Sequence, residues 1–139
     1  MLGNGSHENR MGKKVFLIED DEDIRMVVEE ILTLEGFQVT IARDGQEALE
    51  IVRAGFRPDL MLLDLMMPRM DGFGFRANSV REFPEFAKIP LIIMSADGKL
   101  DEKVVQARGQ AYMRKPMDLD ELVRLVRRFT GSRSGDVSV

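Results

Sequence analysis

The stretch LMLLD, residues 60–64, is a run of apolar side chains that ends at an aspartate. An unbroken apolar run of this length is typical of a strand that is buried on both faces of a parallel sheet. Residues 15–18 (VFLI) and 91–94 (LIIM) have the same character and predict two more such strands. Residues 37–41 alternate between apolar and polar side chains and residues 111–113 are short, and we expect these two segments to complete a five-stranded sheet.

Helical patterns separate these strands along the chain. The predicted helices are residues 23–34, the segment between Asp44 and Gly55, and residues 71–83, 100–107 and 118–129. The third of them is the weakest, because Gly72, Gly74 and Asn78 each lower the helix propensity. Strands that alternate with helices predict an α/β fold with a parallel sheet covered by helices on both faces. In such sheets, ligands bind beyond the carboxyl ends of the strands.

The composition limits the class of protein. A chain of 139 residues suits one compact domain, which we expect at residues 13–130 between flexible tails at residues 1–12 and 131–139. The net charge of −4 gives no support for a nucleic-acid or membrane-surface partner. The lack of cysteine excludes disulfides, thiolate nucleophiles and Cys-rich metal sites. Because no apolar run could cross a bilayer and the N-terminus is polar, we expect a cytoplasmic protein.

Polar side chains collect where the predicted strands end. The acidic segment 19–21 (EDD) follows the first strand, Asp64 ends the third, Ser95 ends the fourth and Lys115 follows the fifth. Carboxylates gathered in one cleft repel one another unless some are protonated or a cation lies among them. Oxygen ligands in an open cleft, completed by water, suit Mg²⁺ better than Ca²⁺, and the EF-hand pattern of a calcium sensor is absent. The strand ends therefore predict a magnesium site.

This set of side chains is suited to phosphoryl transfer. Such a reaction needs an in-line nucleophile and positive charge around the phosphoryl oxygens. Asp64 can be the nucleophile, while Mg²⁺, Lys115 and the Ser95 hydroxyl can each bind one phosphoryl oxygen. The product would be an acyl phosphate, whose lability suits a reversible signal.

Four segments carry a resemblance to a known family. They are VFLIEDDED (15–23), LLDLMMPRMDG (62–72), IIMSA (92–96) and YMRKP (112–116). In this order and at these separations, they resemble the receiver domain of two-component response regulators. The resemblance implies a flavodoxin-like five-stranded parallel sheet with strand order 2-1-3-4-5 and helices on both faces.

The resemblance also implies a role for each residue of the phosphorylation site. Asp64 is the phosphoacceptor and Lys115 binds the phosphoryl group. Asp21 and Asp64 bind Mg²⁺ directly, together with the backbone carbonyl of Met66, and Asp20 acts mainly through metal-bound water.

Two further residues are implied to form a switch. Ser95 is the switch hydroxyl and Tyr112 the switch aromatic. When Asp64 is phosphorylated, Ser95 moves inward and Tyr112 follows. The surface of the fourth predicted helix, the fifth strand and the fifth helix then changes. A cis peptide bond between Lys115 and Pro116 is expected to aim the lysine into the site.

The resemblance implies the function of a receiver, and because the sequence after the fifth predicted helix shows no DNA-binding or catalytic output module, we expect it to act as a stand-alone receiver. A histidine kinase or a histidine phosphotransfer protein supplies the phosphoryl group, and a downstream protein binds the surface of helix four, strand five and helix five. We expect no separate enzyme activity beyond self-phosphotransfer and slow autodephosphorylation, no nucleic-acid or membrane partner, and a monomer or weak homodimer.

Three other functions remain open from the sequence. A binding module of the same fold that does not use phosphate is supported only by the segment 109–112, which is one residue shorter than is usual in the family. An aspartyl phosphatase of the haloacid-dehalogenase type needs a second aspartate at position 66, where this chain has Met66. Flavin binding, as in flavodoxin, is disfavoured because the acidic segment 19–21 stands where a phosphate loop is needed.

Overall fold

The structure, a computed structural model, describes residues 12–96 and 109–131. One parallel sheet forms its centre, with the strands β1 (Lys14–Ile18), β2 (Gln38–Ala42), β3 (Leu60–Asp64), β4 (Leu91–Ser95) and β5 (Ala111–Arg114). The strand order is β2-β1-β3-β4-β5, and each neighbouring pair is parallel. The predicted flavodoxin-like sheet is therefore confirmed.

Helices connect the strands. They are α1 (Glu22–Leu34), α2 (Gly45–Arg53), α3 (Gly72–Glu82), a 3₁₀ helix (Pro84–Lys88) and α4 (Leu119–Phe129). The helix predicted over residues 100–107 lies outside the described residues, so α4 corresponds to the fifth predicted helix. In the described ranges, none of the helices combines the length and the apolar composition that a membrane span requires.

Within the described ranges, each of the four α-helices begins after an aspartate that caps its first turn. The carboxylates of Asp21, Asp44, Asp71 and Asp118 accept backbone N–H groups that have no partner within the helix. A negative charge at this end also interacts favourably with the helix dipole. The caps therefore define the residue at which each helix starts beyond the strand ends.

The sheet separates two apolar layers. Along β1, Phe16 and Ile18 face one layer, while Val15 and Leu17 face the other. Residues of α2 and α3 pack into the first layer, and residues of α1 and α4 pack into the second. The prediction of helices on both faces is confirmed by these four helices. The three central strands β1, β3 and β4 are buried almost throughout, so it is mainly their ends that reach solvent, whereas the edge strands β2 and β5 remain partly exposed.

Helix α3 forms despite its unfavourable sequence. Asp71 caps it through the N–H of Gly74 at 2.8 Å, and Phe75 is fully buried against Phe16, with the ring centroids 6.2 Å apart. Asn78 donates a side-chain hydrogen bond to the Gly74 carbonyl at 2.9 Å. Tertiary packing thus overrides the low propensity that the sequence indicates.

Candidate functional site

The carboxyl ends of four strands bring the predicted site residues together. Asp64 and Ser95 are the last residues of β3 and β4, and both are buried. Backbone hydrogen bonds continue past the strand ends: Glu19 donates its N–H to the Ala42 carbonyl, and Lys115 donates its N–H to the Ser95 carbonyl, each at 3.0 Å. The residues that follow β1 and β5 are therefore held in the same layer as Asp64.

Asp64 is a buried carboxylate with two kinds of neighbour. Its Oδ1 accepts the backbone N–H of Met66 at 3.1 Å, and its Oδ2 lies 3.2 Å from the ammonium nitrogen of Lys115. Burial and the negative charge of Glu19 raise the pKa of Asp64 to about 7, against the opposing effects of the Met66 N–H and Lys115. The pKa of this carboxylate thus lies close to physiological pH.

Lys115 bridges two carboxylates. Its Nζ lies 2.7 Å from Glu19 Oε1 and 3.2 Å from Asp64 Oδ2, and its side chain is only 15% exposed. Burial opposes the charged form, but the hydrogen bond and charge of Glu19, followed by those of Asp64, raise the pKa of Lys115 above its ordinary value. The predicted cis peptide bond between Lys115 and Pro116 is present. Lys115 therefore supplies a positive charge inside the carboxylate cluster.

Three carboxylates form a group that could hold a metal ion. One oxygen each from Glu19, Asp20 and Asp64 lies within 4.8 Å of the others. Glu19 and Asp64 are buried, whereas Asp20 is exposed. This donor set consists entirely of carboxylate oxygens in a site that opens to water, and such ligands fit Mg²⁺.

Asp21, which the resemblance implies to be a direct Mg²⁺ ligand, lies outside this group. Its Oδ1 accepts the Ile24 N–H at 3.0 Å and so caps α1. Its own N–H donates to Glu19 Oε2 at 3.0 Å. The structure thus brings Asp20 and Glu19 to Asp64. The sequence places Glu19 at the end of the first strand, but the resemblance to the family implies no role for it.

The two predicted switch residues differ in environment. Ser95 is fully buried at the end of β4. Tyr112 is on the neighbouring strand β5, and 44% of its surface is exposed, whereas the next residue, Met113, points into the core. Met66, the predicted carbonyl ligand, has an exposed side chain and uses its N–H to bind Asp64.

The loop between Asp64 and α3 is held in place at the end that leads into α3. Arg69, whose backbone is left-handed with φ of 64°, forms an ion pair with the buried Asp44 at 2.6 Å. The Gly45 N–H donates to the Met70 carbonyl at 2.9 Å. A Cβ at Gly72 would lie 2.6 Å from the carbonyl oxygen of Asp64, so only glycine fits there without displacement. The loop is therefore closely packed against the phosphoacceptor position.

Comparison with known proteins gives one consistent result. The family model described as the response regulator receiver domain matches residues 15–127. The sensor histidine kinase TmoS of Ectopseudomonas mendocina is 40% identical over 111 residues, which cover 78% of this chain and 11% of TmoS. The response regulator MprA of Mycolicibacterium vanbaalenii is 32% identical over 119 residues, which cover 84% of this chain and 50% of MprA. The chain thus spans half or less of the length of these relatives.

A solved structure agrees with the fold. The receiver domain of the sensor histidine kinase PA1611 from Pseudomonas aeruginosa PAO1 superimposes with a TM-score of 0.77 at 29% sequence identity. The match covers 86% of this chain and 98% of that domain. A magnesium ion is coordinated in the active site cleft of that domain.

Proposed function

The chain belongs to the response regulator receiver domain family, and on that premise we propose that it accepts a phosphoryl group on Asp64 in a Mg²⁺-dependent reaction. The donor is a histidine kinase or a histidine phosphotransfer protein. The observation that carries this proposal is the position of Lys115 Nζ, 3.2 Å from Asp64 Oδ2 in a cleft with two more carboxylates. A carboxylate nucleophile and a cation for the phosphoryl oxygens are thus side by side.

In the proposed reaction, a carboxylate oxygen of Asp64 attacks the phosphorus atom. The bond between phosphorus and the donor nitrogen breaks, and the imidazole leaves with its electron pair and takes up a proton from solvent. When bound, Mg²⁺ supplies positive charge to a phosphoryl oxygen. Lys115 exchanges its contact with Asp64 for a second phosphoryl oxygen, and the Ser95 hydroxyl donates to the third. Only the ionised carboxylate is nucleophilic, so the raised pKa of Asp64 makes this step pH-dependent.

The proposed metal ligands are Asp20 and Asp64 with the backbone carbonyl of Met66, and Glu19 acts through metal-bound water and through Lys115. This assignment exchanges the roles that the sequence suggested for Asp20 and Asp21. It is supported by the grouping of Glu19, Asp20 and Asp64 oxygens and by the use of the Asp21 carboxylate as a helix cap. A metal ion among these carboxylates would offset their mutual repulsion.

The proposed output is a change in shape that starts at Ser95. Phosphorylation draws the hydroxyl of this buried residue toward Asp64, and Tyr112 on the adjacent strand follows. The surface that includes β5 and α4 then binds a downstream protein. No substrate other than the phosphodonor is proposed. That the receiver works without an attached output module stays a prediction, because the relatives TmoS and MprA are longer proteins.

Intact mass measurement tests the proposal. The chain is incubated with acetyl phosphate and Mg²⁺, beside an Asp64→Asn variant and a sample with EDTA. We expect one phosphoryl group to be added to the wild type alone. Absence of that mass, in a chain shown by calorimetry to bind Mg²⁺, would reject phosphoryl acceptance and leave a phosphate-independent binding module.

A further inference from the structure

Arg25, on α1, contacts the backbone of the whole acidic segment between β1 and α1. We infer that Arg25 is a positioning residue that sets the affinity of the site for Mg²⁺ by holding the Glu19 and Asp20 backbone in place. This inference rests on the proposed function, because it concerns the metal site used there. Arg25 itself touches neither the carboxylate oxygens of the site nor the phosphoacceptor in the contacts described.

The geometry links one guanidinium group to two residues of the cluster. Nη1 of Arg25 donates to the carbonyl oxygens of Glu19 and Asp20, at 3.1 Å each. The backbone N–H of Arg25 donates to the Asp21 carbonyl at 3.0 Å. All three carbonyls of the segment are therefore bound by one residue, which is itself half-buried and fixed in the first turns of α1.

The segment needs this support because it is short and highly charged. Residues 19–21 all carry carboxylates, and α1 adds Glu22 and Asp23 directly after them. Repulsion among these groups favours backbone rotations that separate the side chains. Bonds to the carbonyls of Glu19 and Asp20 oppose such rotations and keep the carboxylates directed toward Asp64. Groups that orient metal ligands through hydrogen bonds typically contribute about 10–100-fold to metal affinity.

The positive charge of Arg25 has the opposite effect on Mg²⁺ affinity from its orienting role. The guanidinium of Arg25 repels a cation, so charge alone predicts that its removal would tighten Mg²⁺ binding. Orientation predicts that its removal would weaken binding. The sign of the effect therefore separates a positioning role from a purely electrostatic one, and a role confined to folding stability would leave the affinity of the folded protein unchanged.

Lysine is the informative conservative replacement. It keeps the charge but replaces the planar guanidinium by a compact ammonium group on a different stem. A single ammonium is poorly suited to reach both carbonyls that Nη1 bridges. Arg25→Lys thus keeps the repulsion of Mg²⁺ while it loses part of the orientation.

The experiment is a calorimetric titration of the full 139-residue chain with MgCl₂. The variants are Arg25→Met, Arg25→Lys and, as a matched control, Arg43→Met. Arg43 follows β2 at the same end of the sheet, but its side chain is 72% exposed and its Nε lies 3.9 Å from Glu47. Thermal unfolding in EDTA identifies the temperature at which all variants are folded, and the titrations are made there.

We expect Arg25→Met to bind Mg²⁺ about tenfold more weakly than the wild type, with Arg25→Lys in between. Arg43→Met should stay within about twofold, because an exposed charge is screened. With acetyl phosphate, the Mg²⁺ concentration for half-maximal phosphorylation of Arg25→Met should rise by the same factor, and high Mg²⁺ should restore the rate. Equal or tighter binding by folded Arg25→Met, beside a wild type that binds, overturns this inference alone. A wild type that fails to bind Mg²⁺ overturns the proposed function as well.

Discussion

The ammonium nitrogen of Lys115 lies 3.2 Å from Oδ2 of Asp64, the residue that the proposed reaction uses both as nucleophile and as metal ligand. The lysine thus already places a positive charge beside the carboxylates that are proposed to bind Mg²⁺. If Mg²⁺ binds as proposed, Lys115 and the metal would therefore compete for the same carboxylates before phosphorylation, and they would act together once three phosphoryl oxygens are present.

This competition predicts opposite effects of Lys115→Ala on two measurements. The buried carboxylates Glu19 and Asp64 lose their cation, so the metal-free chain should be less stable by about 1–3 kcal/mol. Mg²⁺ should bind more tightly, because its competitor is gone, whereas phosphorylation by acetyl phosphate should be slower. Urea unfolding, calorimetric titration and intact mass measure these three quantities. Weaker Mg²⁺ binding in a folded variant would contradict the competition.

The assignment of the acidic residues leads to a second prediction. Asp20→Asn and Asp21→Asn each remove one negative charge from adjacent residues, so they are matched electrostatically. We expect Asp20→Asn to weaken Mg²⁺ binding about tenfold or more, since its carboxylate belongs to the cluster. Asp21→Asn should have a much smaller effect, because asparagine also caps helices. Calorimetric titration of both variants decides between the two residues, and a larger effect at Asp21 would restore the sequence-based assignment.

These two residues also show what the sequence could and could not predict. The strands follow from apolar runs such as LMLLD, and the positions of Asp64, Ser95 and Lys115 at the strand ends follow from the strands. The acidic segment is different, because Asp20 and Asp21 are equally good cap residues and the choice depends on where α1 begins. The sequence pattern defines the first residue of α1 only to within about one position. A shift of one position is enough to exchange the cap role and the metal-binding role between Asp20 and Asp21.

Helix α3 is a second example of this limit. Its glycines indicate weak helix formation, yet Gly72 is required by the close approach of the Asp64 carbonyl. Burial of Phe75 against the sheet then stabilises the helix through tertiary packing. Both points depend on packing against residues outside the helix, and such contacts do not enter propensity.

The raised pKa of Asp64 predicts that the stability of the metal-free chain depends on pH. The carboxyl ionises near 3.8 in the unfolded chain and near 7 in the fold, so the folded state binds more protons between these values. The stabilising contribution of the protonated group is fully present below about 3.8 and is lost as pH rises to about 7. The free energy of unfolding, relative to that of Asp64→Asn, should therefore fall across this window.

The same carboxylate must lose its proton to bind a metal, which adds a second pH effect. The increase in melting temperature caused by Mg²⁺ should therefore be small at pH 5 and should grow as pH rises through 7. Melting curves of the wild type and Asp64→Asn, with Mg²⁺ and with EDTA, measure both effects. A stability difference between these two proteins that does not vary between pH 4 and 7 would contradict the burial of an ionisable Asp64.

Two glycines near the site provide a final, matched comparison. A Cβ at Gly72 would lie 2.6 Å from the Asp64 carbonyl oxygen and 2.8 Å from Leu65 Cα, both parts of the backbone. A Cβ at Gly74 would meet the flexible side chain of Met70 at 3.1 Å. Gly72→Ala should therefore destabilise the chain by about 1–3 kcal/mol through overpacking. Gly74→Ala should be neutral or stabilising by up to about 1 kcal/mol, since alanine is the better helix former.

The two substitutions should also differ in their effect on phosphorylation. Displacement of the Asp64 carbonyl by Gly72→Ala shifts the side chain from the position that Met66 N–H and Lys115 define. Phosphorylation by acetyl phosphate should then be slower in Gly72→Ala and unchanged in Gly74→Ala, at a temperature where urea unfolding shows that both are folded. Equal rates in the two variants would mean that the contact at Gly72 supports the helix without fixing the phosphoacceptor.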